Sequence, residues 1–68
     1  MPIVTIKLAK PEMDKATKEA LIKDITDLLV EKYGKARERI VVMLEPIEAY
    51  DIAFGGLSVE RIKENAKK

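Results

Sequence analysis

Ile40-Val41-Val42-Met43-Leu44 is an unbroken apolar run of branched and long aliphatic side chains. Its length suits a strand, and the lack of polar alternation is the pattern of a strand covered on both faces, as in a parallel sheet. Pro46 brings no N–H to a ladder and is expected to stop the run. Upstream, Ile3 to Leu8 alternates, with Val4, Ile6 and Leu8 on one face and Ile3, Thr5 and Lys7 on the other. Pro11 ends that strand, and Asp14 is placed to cap a helix. From Lys15 to Tyr33 the period becomes helical. Leu21, Ile25 and Leu28 form one row with Lys32, and Ile22, Ile25, Leu29 and Tyr33 form its neighbour. Lys18, Glu19, Lys23, Asp27 and Glu31 are expected to face water, and Gly34 to close the helix. Strand, helix, strand in this order predicts a right-handed β-α-β unit with its two strands parallel.

Past the second strand the pattern weakens. Lys35 to Arg39 reads as a basic connector, and Ile47 to Ala53 as irregular. Gly55-Gly56 marks a tight turn, Ser58 opens a short helical turn, and Glu64 to Lys68 reads as a frayed polar tail. The fold class is α+β: two parallel strands, one long helix and a C-terminal hairpin, in one domain spanning 1–68.

A chain of 68 residues buries only about 60% of its unfolded surface when it folds alone. Chains this small gain stability from disulfides, metals or partner subunits. Cys and His are both absent, so disulfides, Cys- or His-ligated metal sites and histidine- or thiolate-based catalysis are excluded. A two-stranded sheet with one helix also leaves one face uncovered. Both arguments predict a homo-oligomer.

The 13 Lys and Arg against 12 Asp and Glu leave a net charge of +1, which argues against nucleic acid or a membrane surface as partner. Asn65 is the only side-chain amide, and charged residues make up 37%, a composition resembling that of thermophile proteins. No apolar stretch approaches a membrane span, and Lys7 and Lys10 interrupt any signal-peptide core, so a cytoplasmic location is expected.

Without His or Cys, the remaining proton carriers are carboxylates, lysines, Tyr33, Tyr50 and one backbone group. Met1 precedes Pro2, and methionine before a small residue is commonly removed. Removal leaves Pro2 as a secondary amine, whose α-amino reference pKa of about 7.7–8.0 falls with desolvation or nearby positive charge. Such an amine is a competent general base. Position alone does not establish this, since a proline after methionine is ordinary.

Pro2-Ile3 at the head of a strand, one amphipathic helix, the Ile-Val-Val strand and Ala53-Phe54-Gly55-Gly56 together resemble the 4-oxalocrotonate tautomerase family. The resemblance runs over nearly the whole chain. It implies a β-α-β protomer in a hexamer, with the N-terminal proline moving a proton between carbon and oxygen of an enol or 2-oxo acid substrate and no metal or organic cofactor. It also implies substrate-binding positions. The family's arginine in the first loop has no counterpart here, where Lys10 is the only cation in Ala9-Lys10-Pro11-Glu12. Its second arginine falls at Val41, and Arg39 lies two residues earlier, about 6.8 Å away on the same strand face. Its pocket aromatic falls at Ile52, between Tyr50 and Phe54. Arg39, Lys10, Ile52 and Phe54 are therefore the expected substrate-binding residues. These departures point to a smaller keto-enol substrate than a 2-hydroxymuconate-type dicarboxylate, or to weak activity.

Blander readings stand beside these. Arg37 and Arg39 are equally readable as solvated charges and Lys10 as a loop residue. Glu45, Glu48 and Asp51 read as surface or interface charges, Gly55-Gly56 as a hairpin docking on a neighbour, and Lys67-Lys68 as solvated. The alternative function is a non-catalytic oligomer of the same fold, structural or small-molecule-binding, because a retained Met1 makes the Pro2 nitrogen an amide.

Overall fold

The computed structural model describes residues 1–67. Strand β1 (Ile3–Ala9) leads through the cis Lys10–Pro11 peptide to helix α1 (Lys15–Tyr33). A 3-10 turn (Arg37–Arg39) enters strand β2 (Val41–Ile47). A second 3-10 turn (Ala49–Asp51) is followed by the hairpin strands β3 (Ala53–Phe54) and β4 (Leu57–Ser58), and by helix α2 (Val59–Ala66). β1 and β2 pair in parallel from Ile3↔Val41 to Ala9↔Ile47, which confirms the β-α-β unit.

The ends of α1 follow from local chemistry. The Asp14 carboxylate accepts the Thr17 N–H at 2.8 Å, satisfying a donor that has no partner within the helix. Gly34 takes the left-handed conformation at φ 64°, and its N–H returns to the carbonyls of the last turn. In the hairpin, Gly55 and Gly56 both adopt positive φ, 59° and 87°, as a two-residue turn matched to strand twist requires.

Three expectations about local structure need correction. Pro46 does not stop β2, which runs on to Ile47 opposite Ala9. Val41 donates to the Pro2 carbonyl, and the Ile47 carbonyl accepts from Lys10. Odd-numbered residues of β2 therefore face β1, and the Pro46 nitrogen points to the free edge, where no donor is required. The polar tail is not frayed through its length, because α2 extends to Ala66. Its start is capped by Ser58, whose hydroxyl accepts the Arg61 N–H at 3.2 Å, and Lys63 donates to the Lys10 carbonyl at 3.2 Å. Lys67 closes the helix and is exposed, while Lys68 lies outside the described residues. Finally, Lys18 and Asp27 do not face open water. Both are half-buried and carry ion pairs, Lys18 to Glu12 and Asp27 to Lys23 and Arg37.

Helix α1 lies on the sheet face that carries Val4, Ile6, Leu8, Val42 and Leu44. The β1 members are half-buried in strict alternation, and Leu8, Leu44 and Pro46 share a cavity with Met13 and Lys18 at the start of α1. Val30 joins the half-buried row, whereas Leu28 is 47% exposed and Tyr33 62%. Two strands spaced about 4.8 Å apart are narrower than the apolar stripe of α1, so its flank stays uncovered. The opposite sheet face has no cover in the single chain: Ile3 is 60% exposed and Met43 47%. No residue among those described is fully buried.

The dimensions tell the same story. A compact chain of this length has a radius of gyration near 11 Å, and this one has 15.9 Å and extends over 48 Å. Its accessible surface is 5385 Å², against roughly 4,300 Å² for a compact monomer of this mass. No helix among the described residues is long and apolar enough to cross a membrane.

Val42→Asp places a carboxylate between the sheet and α1. It should cost about 3 kcal/mol or more, enough to unfold a chain with this little buried surface, as urea titration followed by helical circular dichroism will show.

Candidate active site

The parallel topology separates the candidate residues into two groups. β1 and β2 both run away from the Pro2 end, α1 returns to it, and the Arg37–Arg39 turn lies there before β2 begins. Pro2 and Arg39 thus share one end of the sheet. Lys10, Ile52 and Phe54 belong to the other, and Lys10 stands about 26 Å from Pro2 along β1 at 3.3 Å per residue.

Pro2 is half-buried, and its carbonyl accepts the Val41 N–H at 2.9 Å, which pins it beside the start of β2. Met1, 80% exposed, is joined to its nitrogen, which is an amide in this form of the chain. Arg39 ends the 3-10 turn, its backbone N–H donating to the Ala36 carbonyl at 3.0 Å. This corrects the expectation that Arg39 sits on the strand and shares a face with Val41. β2 starts only at Val41, so strand alternation does not fix the direction of the Arg39 side chain.

Arg37 and Arg39 have different environments. The Arg37 guanidinium lies 2.7 Å from Asp27, which also receives the Lys23 ammonium at 2.7 Å. These hydrogen bonds hold the Asp27 carboxyl below its ordinary value and Lys23 above its own. Arg39 is exposed and has no carboxylate within ion-pair distance among the described residues. Asp27 is the residue that sequence reasoning missed here. The Lys23–Asp27 spacing of four was the only available signal, and nothing local pointed to Arg37, ten residues on.

At the far end, the Lys10 ammonium hydrogen-bonds Glu48 and lies 3.9 Å from Glu12. The Glu48 hydrogen bond, then its charge, raises the Lys10 pKa above the ordinary lysine value. The Glu12 carboxyl is lowered by its hydrogen bond from Lys18. Lys10 is therefore already committed to carboxylates of its own chain, and Glu48 is an internal partner rather than a free surface charge. Ile52 is half-buried, its carbonyl accepting the Val59 N–H at 2.7 Å. Phe54 is 71% exposed and Tyr50 61%, both uncovered beside the hairpin.

A cavity of about 80 Å³ at this far end is lined by Leu8, Pro11, Met13, Leu44 and Pro46 together with Glu12 and Lys18. Pro2 does not line it. No cluster of three metal-ligating side chains occurs among the described residues.

Comparison with known proteins gives concordant findings. A family model described as tautomerase enzyme matches residues 2–62, from Pro2 into α2. The chain is 60% identical to a probable tautomerase of Campylobacter jejuni, over the full length of both. It is similar to the crystal structure of DmpI from Helicobacter pylori, at 28% identity and a TM-score of 0.80, covering 93% of this chain and 97% of that one. A heterohexamer 4-oxalocrotonate tautomerase from Chloroflexus aurantiacus, at 11% identity and a TM-score of 0.78 over 91% and 98% of the two chains, shares the fold alone.

The Asp27 ion pairs carry a pH signature. Because folding lowers its pKa, Asp27 stabilises the fold above the unfolded carboxylate value of about 3.9 and loses that contribution as pH falls further. Asp27→Asn should lower the melting temperature at pH 7, and the gap to the parent should narrow as the pH falls below the unfolded carboxylate value.

Proposed function

The chain belongs to the tautomerase enzyme family, and from that premise we propose that it is a cofactor-independent isomerase whose general base is Pro2, freed by removal of Met1. Its substrate is a small 2-hydroxy or 2-oxo acid that interconverts between enol and keto forms. The observation that carries this reading is the placement of Pro2. It is the first residue of the matched segment, stands half-buried at the head of β1, and is held by its carbonyl next to Ile40 and Val41. The carbonyl anchor leaves the nitrogen free of the ladder, so loss of Met1 yields an amine already in position.

In the proposed reaction the neutral amine takes a proton from the enol hydroxyl or an allylic carbon and becomes a secondary ammonium. The substrate becomes an enolate. The ammonium then returns a proton to carbon, which restores the amine and leaves the keto form. Arg39, the exposed guanidinium at the same end, binds the substrate carboxylate and stabilises charge on the enolate.

Lys10, Ile52 and Phe54 stand too far from Pro2 to serve it within one chain. They complete the site of a neighbouring copy, in a homo-oligomer that we take to be a hexamer. The bare sheet face, the uncovered Phe54 and the excess surface of the single chain support assembly. Ile52 and Phe54 then supply an apolar wall that keeps the amine neutral. Lys10, held by Glu48, contributes less to carboxylate binding than Arg39.

Protein whose intact mass shows loss of Met1 should ketonise 2-hydroxymuconate or phenylenolpyruvate, with a rate that rises with pH as the neutral amine accumulates. Pro2→Ala should lower kcat/KM by about 10²-fold and leave the circular dichroism unchanged. Protein that retains Met1 should be inactive. Equal activity with and without Met1 would remove Pro2 from the mechanism, and no turnover by the processed protein would favour the non-catalytic oligomer.

A further inference from the structure

We propose that Asp27 is a positioning residue for the reaction described above: by holding Arg37 against α1 it fixes the Arg37–Arg39 turn, and so presents Arg39 at the Pro2 end of the sheet. The inference rests on Arg39 as the cation that binds the substrate carboxylate, and adds the residue on which Arg39 depends.

The turn has little of its own to keep it in place. It is three residues long and closes through two backbone hydrogen bonds, from the Arg39 N–H to the Ala36 carbonyl at 3.0 Å and from the Ile40 N–H to the Arg37 carbonyl at 3.2 Å. Such 3-10 bonds have poorer geometry than those of an α-helix. Every residue from Gly34 to Arg39 is exposed, so no buried apolar side chain seats the turn or its connector on the protomer. Among the described residues, the Arg37–Asp27 ion pair is the one side-chain hydrogen bond that ties the turn to α1.

The acceptor is oriented before the turn reaches it. Asp27 is half-buried on α1, and its Oδ2 takes the Lys23 ammonium at 2.7 Å, which leaves Oδ1 for Arg37, also at 2.7 Å. A carboxylate already held by one cation has less freedom to lose on binding a second. On its other side the turn runs through Ile40 into Val41, whose N–H is fixed on the Pro2 carbonyl at 2.9 Å. Arg39 thus lies midway between two anchors, Arg37 on the helix and Val41 on the strand. Arginine has a large rotamer entropy, and an anchored backbone reduces what must be ordered when its guanidinium meets a carboxylate. Asp27 also occupies Arg37, so the turn offers substrate one cation, Arg39, which has no carboxylate within ion-pair distance among the described residues.

The test uses protein that has lost Met1, with circular dichroism as the check that each variant is folded. Arg37→Gln should speed hydrogen exchange at the Ile40 amide about fivefold and raise KM for phenylenolpyruvate by a similar factor, the upper end of what a partly exposed ion pair contributes. Arg37→Lys keeps a cation for Asp27 and should stay within about twofold of the parent. In an Arg39→Ala background, Arg37→Gln should change KM no further, because it acts through Arg39. Asp27→Asn separates positioning from direct binding by the sign of its effect. It should raise KM, whereas an Arg37 that itself bound substrate would be released by the change and lower KM. A fall in KM in Asp27→Asn, exchange or KM unmoved in Arg37→Gln, no rescue by Arg37→Lys, or an Arg37→Gln effect that persists without Arg39 would each overturn the positioning role alone. An Arg39→Ala protein with the parent's KM would instead overturn the assignment of Arg39, and a parent without turnover the Pro2 reading, and in either case the role of Asp27 falls with it.

Discussion

Two parallel strands cannot be joined by a tight turn; the chain has to travel back along their full length before the second can start. Here that return is α1, 19 residues and about 28 Å long, antiparallel to strands of about 23 Å. The rest of the architecture follows from this crossover. It places both strand starts, Pro2 and the Arg37–Arg39 turn at one end, and sends the hairpin and α2 to the other. It also gives one sheet face to the helix and leaves none of the chain to cover the second.

The consequence for the proposed chemistry is a divided site. The half-buried Pro2 and the exposed Arg39 share an end, while the apolar side chains that would shield an amine are exposed at the far end. A chain with no fully buried residue among those described and an accessible surface well above that of a compact monomer has the same need from the energetic side. Stability and catalysis would therefore depend on one event, the arrival of neighbouring copies.

Electrostatics sorts the cations in a way that composition conceals. The chain is nearly neutral, with 13 basic and 12 acidic residues, but the acids are not evenly spread among the bases. Asp27 engages Lys23 and Arg37, Glu12 engages Lys18, and Glu48 engages Lys10. Among the described residues, Arg39 has no such partner at the Pro2 end. Of the two cations expected to bind substrate, the protein's own acids hold one and leave the other free.

Elements whose cause is local are legible in the order of the residues alone. The Asp14 cap, the Gly34 stop, the alternation of Ile3 to Leu8 and the Gly55-Gly56 turn each depend on the conformation of a few adjacent residues, and each is found where those residues place it. The family resemblance was legible for the same reason, since Pro2, the helix and the glycine pair keep their order and spacing. Features that depend on partners distant in the chain emerge only on folding. Pro46 continues a strand because its nitrogen falls on the free edge, a matter of which side β1 occupies. Asp27 turns inward because Arg37 folds back to meet it, and Lys10 is engaged because the end of β2 brings Glu48 beside it. Arg39 belongs to a turn because the connector tightens before β2 begins, and α2 persists to Ala66 because Ser58 caps it and Lys63 reaches the first loop. Periodicity reports which face a residue prefers. Only the folded chain fixes which distant charge, edge or carbonyl that face will meet.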